Sequence, residues 1–412
     1  MEVCCMGLLK ILCSILIVLM LPILSACGLL ERDGLVSDGV IAVIDGQLKK
    51  VSEEEQDKIC ATQYCEPNYV YTVNFGRRRA EPRPVLPPVI PVPAPVPPTF
   101  PTPTVQPSGD SVDYSKAILG LFEAWKLSEG SREIIVAVVD SGVAVGHPDL
   151  QANIWMNMHE LEGKPGLDDD RNGYVDDVYG WDYFHNRPNA IDDNNHGTHV
   201  AGIIGAMMNG IGTIGISPLV KIMPLKFLGP DGSGDTLGAI RAIDYATDHG
   251  AKIISNSWGG GGYSLYMDQA IQRAIQKGVI VVAAAGNSTM NNDTFASFPA
   301  NYAGVISVAS SDEKDGLSSF SNYGARSVAI AAPGSHIFST VLENRWDYLS
   351  GTSMAAPQVS GALALAMSVN ADLSATDLKK LLCQSSKKIL LDQVGCGRMD
   401  VLGLVKASIA GM

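Results

Sequence analysis

The chain has 412 residues, more than one average domain, and 46% of them are hydrophobic, so it can bury a large core. Its formal net charge at pH 7 is -13 and its pI is near 5.0. Phosphate backbones and anionic lipid headgroups would repel such a chain at long range. The charge therefore argues against nucleic acid as a partner.

Residues 1–26 have the layout of an export signal, because a long apolar run over 11–26 follows Lys10. The run ends in the sequence LSAC at residues 24–27, which resembles a lipobox. This resemblance implies cleavage before Cys27 and a lipid-anchored, exported protein. Acyl chains on Cys27 would anchor the protein firmly, since each buried CH₂ contributes about 0.8 kcal/mol. An ordinary secretory signal or an uncleaved anchor is the alternative. Gly28 after the cysteine favours the outer membrane if the host has two membranes.

Four of the eight cysteines remain once the signal and Cys27 are set aside. In an oxidising compartment, the pairs Cys60–Cys65 and Cys383–Cys396 are the simplest of three connectivities. Buried free thiols are the alternative for the second pair.

Composition divides the rest of the chain into three parts. Residues 82–107 hold 12 of the 23 prolines, which predicts a stiff linker over 81–110 without helix or central strand. A ligand for a proline-recognition module is the alternative function of this stretch. Before it, residues 27–80 predict a small module with short strands at 40–44 and 69–74.

The large domain, residues 111–412, alternates apolar runs rich in β-branched residues with helical stretches. These runs are too apolar to have a wet face, so they predict a mostly parallel central sheet with helices on both faces, a three-layer α/β fold. The predicted strands are 134–139, 220–227, 252–255, 279–283, 305–308 and 328–331, and the predicted helices are 197–208, 236–249, 265–277, 353–369 and 375–385.

Three short segments of this domain place a reactive side chain where a strand or loop meets a helix. Asp140 follows the predicted strand 134–139, at the carboxyl end where ligands of open α/β sheets bind. His196 begins a helix in the sequence HGTHVAG, and Ser353 does the same in GTSMAAP. A serine hydroxyl is a weak nucleophile unless an imidazole takes its proton and a carboxylate orients the imidazole. The segments therefore predict a nucleophile, a base and an orienting acid.

The order Asp140, His196, Ser353 with these flanks resembles the subtilisin-like serine endopeptidases, the subtilases of peptidase family S8. The resemblance covers roughly residues 113–409 and implies hydrolysis of protein or peptide substrates through an acyl-enzyme on Ser353. No organic cofactor is expected, and a monomer is the default. An α/β-hydrolase lipase or esterase is excluded by its different residue order. A catalytically silent lipoprotein that binds peptides in the same cleft is the alternative.

The same resemblance assigns residues to the substrate cleft. It makes the Asn287 amide and the Ser353 backbone N–H the donors of an oxyanion hole. It makes residues 257–260 the edge that pairs with an extended peptide, where Trp258 either roofs a subsite or is a hydrophobic plug. The Phe298–Pro299 bond is a candidate cis peptide. The expected substrate-binding residues are Ser257, Trp258, Gly259, Gly260, Ala285, Gly286 and Ser297.

Two stretches predict structural calcium. Residues 168–177 place oxygen ligands at alternate positions with a glycine at the sixth, as in an EF-hand-like loop, although Tyr179 stands at the twelfth position. An acidic turn without an ion is the alternative. The second site is implied by the family resemblance. The expected ligands are Asp168, Asp170, Asn172, Tyr174 and Asp176 in the loop, and Asp149, Asn209 and the carbonyls of Met207, Ile211 and Thr213 in the second site.

Residues 65–71 resemble the closing strand of subtilase propeptides, which assist folding of the catalytic domain and block its cleft. The module at about 39–74 is smaller than the usual prodomain, so a shortened prodomain and a plain membrane-proximal spacer both fit. Cleavage after the module would free the enzyme from its lipid.

Overall fold

A computed structural model describes residues 37–44, 46–73 and 109–411. The export signal, Cys27 and the proline-rich stretch up to residue 108 lie outside the described residues, so the predictions made for them stay predictions. Within the described part of the chain, no helix combines the length and apolarity needed to cross a bilayer.

The N-terminal module consists of β1 (Ser37–Ile44), β2 (Gln47–Val51), α1 (Glu53–Cys60) and β3 (Cys65–Thr72). The large domain has strands β4 (Ile135–Asp140), β5 (Trp181–Asp182), β6 (Arg187–Pro188), β7 (Lys221–Lys226), β8 (Ser233–Asp235), β9 (Ile253–Asn256), β10 (Ile280–Ala284), β11 (Ile306–Ser311), β12 (Ile330–Pro333), β13 (Ile337–Val341) and β14 (Arg345–Leu349). Its helices are α2 (Tyr114–Ile118), α3 (Leu121–Ala124), α4 (Met158–Leu161), α5 (His196–Gly205), α6 (Thr236–Asp248), α7 (Leu265–Gln276), α8 (Thr352–Val369), α9 (Ala375–Ser385) and α10 (Val401–Ala410).

The central sheet has the strand order β12-β11-β10-β9-β4-β7-β5-β6. Neighbours from β12 to β5 are parallel, and only β5 and β6 pair antiparallel. Each of the six apolar runs forms one of its strands, and each of the five predicted helices is present. The predicted three-layer α/β fold is therefore confirmed.

Side chains on β4 alternate between two cores, as the two-residue period of a strand requires. Val136 and Val138 pack in the core beneath α5 and α8. Ala137 and Val139 face the opposite core, beneath α6 and α7. Because both faces of the sheet are covered, a side chain that must reach a substrate has to lie at an end of a strand. Asp140 has such a place, since it is the last residue of β4.

Both predicted disulfides are present. Cys60–Cys65 joins the end of α1 to the start of β3, and Cys383–Cys396 joins α9 to the segment before α10. The free-thiol alternative for the second pair is wrong. The Phe298–Pro299 peptide bond is cis.

Candidate active site

A buried hydrogen bond joins Asp140 at the end of β4 to His196 at the start of α5. His196 Nδ1 and Asp140 Oδ1 are 2.7 Å apart, and both side chains are almost fully buried. The same carboxylate oxygen accepts a bond of 2.7 Å from the backbone N–H of Ser141. A carboxylate on Nδ1 fixes the ring orientation and directs base chemistry to Nε2.

Ser353 is the second residue of α8 and lies in the wall of a cleft beside the end of β9. Its Oγ donates to the carbonyl of Ser257 at 2.9 Å, and Ser257 Oγ donates back to the Ser353 carbonyl at 3.0 Å. These reciprocal bonds fix the start of α8 against the loop that follows β9.

The cleft is a cavity of about 70 Å³. Ala285, one of the expected substrate-binding residues, lies beneath it instead, in a small core with Ala309 and Ala331. The expected residues that line the cavity are Ser257, Trp258, Gly259, Gly260, Gly286, Asn287, Ser297 and Ser353.

The amide of Asn287 is oriented by the first residue of α8. Asn287 Oδ1 accepts bonds from both the backbone N–H and the hydroxyl of Thr352, each at 2.9 Å. A Cβ on Gly351 would lie 3.3 Å from Asn287 Nδ2 and 3.5 Å from the backbone nitrogen of Ser353. Two N–H donors therefore border one small space, which a side chain at residue 351 would enter.

Comparison with known proteins agrees with this fold. The model of the subtilase family, peptidase S8, matches residues 131–397. The chain belongs to the subtilase family. Residues 131–397 are thus a serine-type endopeptidase domain, called the subtilase domain below.

Relatives with similar sequences come from bacteria and from malaria parasites. The chain is 38% identical to thermitase of Thermoactinomyces vulgaris over 268 residues, which cover 65% of this chain and 85% of thermitase. It is 40% identical over 243 residues to a thermophilic serine proteinase of Bacillus sp. strain AK1, covering 59% of this chain and 54% of that protein. It is 33% identical over 298 residues to subtilisin-like protease 1 of Plasmodium berghei strain Anka, covering 67% of this chain and 50% of that protein. The chain thus spans about half the length of two of these relatives.

Trp258 is a buried wall of the cleft in this subtilase domain. Its indole Nε1 donates to the Val139 carbonyl at 2.8 Å. Its ring makes edge contacts with Phe227 and with Tyr71 of the N-terminal module, at centroid distances of 4.7 and 4.9 Å. Trp258 therefore acts as a hydrophobic plug that packs over the end of the sheet. Its ring also forms one side of the site that holds the Tyr71 ring.

The end of the N-terminal module lies in the cleft. Strand β3 pairs antiparallel with β8, and Thr72 exchanges two backbone bonds of 3.1 and 3.3 Å with Gly259 on its other side. The Val73 N–H then donates to the Gly232 carbonyl at 3.0 Å. Thr72 lines the same cavity as Ser353. The module thus inserts an extended strand between two edges of the subtilase domain.

Two polar side chains of β3 cap helices of the subtilase domain. Glu66 is buried and accepts a bond of 2.8 Å from the N–H of Leu265, the first residue of α7. Asn68 accepts one of 3.0 Å from the N–H of Leu237 in α6 and donates to Asp235 at 2.9 Å. A carboxylate at a helix N-terminus is favoured by the helix dipole, while burial raises the pKa of Glu66. Sequence reasoning missed both contacts, although polar residues at alternate positions of an otherwise half-buried strand are a usable signal.

The acidic loop brings three carboxylates together. Oxygens of Asp168, Asp170 and Glu160 lie within 4.8 Å of one another. Glu160 belongs to α4, outside the loop, and was not among the expected ligands. The carboxylate of Asp176 is outside this group, and both of its oxygens accept from the Gly166 N–H at 3.0 and 2.9 Å. The backbone N–H of Asp176 donates to Glu160 Oε2 at 2.8 Å.

The side chain of Asn172 is engaged within the loop itself. Its Oδ1 accepts a bond of 2.7 Å from the N–H of Tyr174. Its Nδ2 donates to Asp170 at 3.1 Å and to Asp177 at 2.9 Å. The expected side-chain ligand at position 172 therefore serves here to hold the loop closed.

The second expected calcium site contains a buried carboxylate oxygen without a partner. Asp149 Oδ2 accepts from the Thr213 N–H at 3.0 Å and from Trp346 Nε1 at 2.7 Å. Its Oδ1 is buried and has no partner within the described residues, and burial raises the pKa of Asp149 to about 7. Asp110, which sequence reasoning missed, accepts from the Gly210 N–H at 2.9 Å. A loop between two carboxylates fits a hard cation that takes oxygen ligands.

The other expected ligands of this site are in or beside the same loop. Asn209 Oδ1 accepts from the Ile211 N–H at 3.1 Å. The N–H of Met207 donates to the Asp149 carbonyl at 2.9 Å. The structure thus brings residues 207–213 and Asp149 together.

Proposed function

We propose that this chain is a serine endopeptidase, held at the cell envelope by lipid on Cys27. Ser353 is the nucleophile, His196 the general base, and Asp140 orients the imidazole. The observation that carries the proposal is the buried bond between His196 and Asp140 in a subtilase domain whose cleft has two N–H donors at one small space. The lipid anchor rests on the LSAC sequence at residues 24–27.

The reaction starts when the hydroxyl proton of Ser353 is turned from the Ser257 carbonyl to His196 Nε2. The Ser353 oxygen attacks the peptide carbonyl as that proton moves to the imidazole, and Asp140 stabilises the imidazolium. Asn287 Nδ2 and the Ser353 N–H donate to the oxyanion. The imidazolium then protonates the departing amine, which leaves an acyl-enzyme. Water, deprotonated by the same imidazole, hydrolyses the ester and restores the serine.

A fluorophosphonate that reacts with activated serines tests this proposal on the full chain. We expect wild type to be labelled and Ser353→Ala to lose all labelling. Ser360→Ala is the matched control, since Ser360 is also a buried serine of α8, bonded at 2.9 Å to Ser255. Absence of labelling in folded, calcium-loaded wild type from which the N-terminal module has been cleaved would instead support a silent, peptide-binding lipoprotein.

We infer that the module at residues 39–74 is a shortened prodomain that occupies the cleft. Its strand pairs on both sides with the edges that an extended substrate would use. Its own core is small, with Val40, Ala42 and Val51 as the buried members, so its order depends on docking. Cleavage after the module would separate the subtilase domain from the lipid on Cys27.

Removal of the Tyr71 ring should undock this strand. Tyr71 is fully buried against Trp258, and loss of a buried aromatic ring costs about 3–5 kcal/mol. In a Ser353→Ala background, which prevents self-cleavage, Tyr71→Ala should speed amide hydrogen exchange of β3 by at least about 100-fold. Tyr64→Ala, at a ring that is 56% exposed, is the control. Equally fast amide exchange of β3 in the Ser353→Ala chain that keeps Tyr71 would instead favour a plain membrane-proximal spacer over a docked prodomain.

We propose that structural calcium binds at one or both acidic sites. Occupancy at a hundred times the dissociation constant stabilises a fold by about 2.7 kcal/mol. A chelator should therefore lower the midpoint of thermal unfolding by about 5–10 °C.

Single substitutions in the two acidic sites show which site causes the change in thermal midpoint that calcium removal produces. Of Asp149→Asn and Asp168→Asn, the variant at a site that binds calcium should lose the part of the calcium response that this site contributes. Asp372→Asn, at an exposed position, should keep all of it. A midpoint that the chelator leaves unchanged would contradict calcium binding.

A further inference from the structure

We propose that Asp192 is a positioning residue that holds Asp140 and His196 in register. The proposal rests on the proposed peptidase function. Asp192 has no role in the proposed mechanism and precedes the HGTHVAG motif of His196. Its side chain is almost fully buried.

The carboxylate of Asp192 accepts hydrogen bonds on both oxygens. Oδ1 accepts from Ser141 Oγ at 2.8 Å and from the Asn194 N–H at 2.9 Å. Oδ2 accepts from the Thr198 N–H at 3.0 Å and from Thr198 Oγ1 at 2.5 Å. One side chain thus joins the residue after Asp140 to the first turn of the helix that carries His196.

The hydroxyl of Ser141 closes this network. While it donates to Asp192, it accepts a bond of 2.9 Å from the N–H of Gly197. Ser141 follows Asp140 directly and Gly197 follows His196 directly, so one oxygen atom links the backbones that carry the two groups. The direction of that hydroxyl is set by its acceptor, the carboxylate of Asp192.

The two segments are also in close backbone contact. A Cβ on Gly142 would lie 2.7 Å from both the Ala190 carbonyl oxygen and the Asp192 nitrogen, and the Val143 N–H donates to the Ala190 carbonyl at 2.9 Å. A small shift of the Asp192 segment would therefore move the segment after Asp140 with it.

A second link comes from the neighbouring residue of the same loop. Lys226, buried at the end of β7, donates to the Ser141 carbonyl at 2.9 Å and to Asp193 at 2.6 Å. Ser141 is therefore held by its hydroxyl through Asp192 and by its carbonyl through Lys226 and Asp193. Of the two links, the one through Asp192 also reaches the helix of His196.

Only a carboxylate suits position 192. All of the partners of its carboxylate are donors, from Ser141, Asn194, Asn195 and Thr198. An asparagine of the same shape would direct its NH₂ group at one or more of these donors. Asp192→Asn therefore breaks the link while it conserves volume.

The test compares Asp192→Asn, Ser141→Ala and the double variant in the full chain. A misplacement of catalytic groups by about 1 Å can cost on the order of 100-fold in rate. We expect each single variant to lower kcat by about 10–100-fold with KM within about twofold of wild type. The double variant should be no slower than the slower single variant, because both changes break one link. The proton resonance of His196 Nδ1–H should shift in each.

Asp400→Ala controls for the loss of a helix cap, since Asp400 accepts from the Gly403 N–H at 2.9 Å at the start of α10. It should lower the thermal midpoint and leave kcat unchanged. Ser141→Ala keeps the bonds of Asp192 to Asn194 and Thr198, so it tests the link even if Asp192→Asn folds poorly.

The inference is wrong if Ser141→Ala and Asp192→Asn both keep the wild-type kcat and the wild-type resonance of His196 Nδ1–H. Asp192 would then be only a helix cap. If the fall in kcat of the double variant equals the product of the falls in the two single variants, Asp192 and Ser141 do not act through one link. Failure of wild type itself to react with the fluorophosphonate would instead defeat the proposed function.

Discussion

Replacement of His196 by alanine should lower kcat by about a millionfold, with little change in KM. Without the imidazole, Ser353 has no group to take its proton, and the leaving amine has none to receive one. Removal of either partner of a serine–histidine pair costs a rate factor on the order of 10⁶. Steady-state kinetics on a fluorogenic peptide, with Ser353→Ala beside it, measures this loss.

The double variant of His196 and Ser353 should be no slower than either single variant, because the two side chains act as one unit. His199→Asn is the matched control on the same helix. His199 bonds to the Asp347 carbonyl at 3.2 Å, and burial lowers its pKa to about 3, so it stays neutral in packing. A loss of kcat in His199→Asn equal to that in His196→Ala would contradict the assignment of the base.

The sequence was most informative where the constraint is local or periodic. The parallel strands could be predicted because each is buried on both faces and is therefore mostly apolar, with only a few buried polar residues such as Ser307 inside a run. Asp140, His196 and Ser353 could be located because each stands in a motif at the end of a strand or the start of a helix. The helix starts were found to within one residue at α5 and α8.

Contacts between distant elements could not be read from the sequence. Glu160 meets Asp168 and Asp170 because α4 folds over the loop, and no spacing rule of the loop itself includes α4. Glu66 caps α7, about 200 residues further along the chain. The two-residue strands β5 and β6 were also missed, since strands so short carry almost no periodic signal. The hairpin of β13 and β14 was missed as well, and β14 is largely exposed, so it does not form an apolar run.

Asn287→Ala should lower kcat by about 10²–10³-fold with little effect on KM. In the proposed mechanism the Asn287 amide donates to charge that exists only in the tetrahedral state, and one such donor contributes about 3 kcal/mol. Thr352 holds the amide oxygen through two bonds, so the NH₂ group is oriented before substrate binds. Kinetics on the fluorogenic peptide, together with inhibition by a peptide aldehyde that forms a tetrahedral adduct, measures the loss.

Gly351→Ala should produce a comparable fall in kcat, although it removes no donor. The added methyl group would lie 3.3 Å from Asn287 Nδ2 and 3.5 Å from the Ser353 nitrogen, in the space that the oxyanion needs. The backbone of Gly351 is extended, with φ 163° and ψ 162°, so alanine introduces no conformational strain there. Gly316→Ala, in a turn outside the cleft, is the control. Wild-type kcat in Gly351→Ala would mean that the oxyanion forms elsewhere, and Asn287 would then lose its assigned role even if its own replacement slows the enzyme.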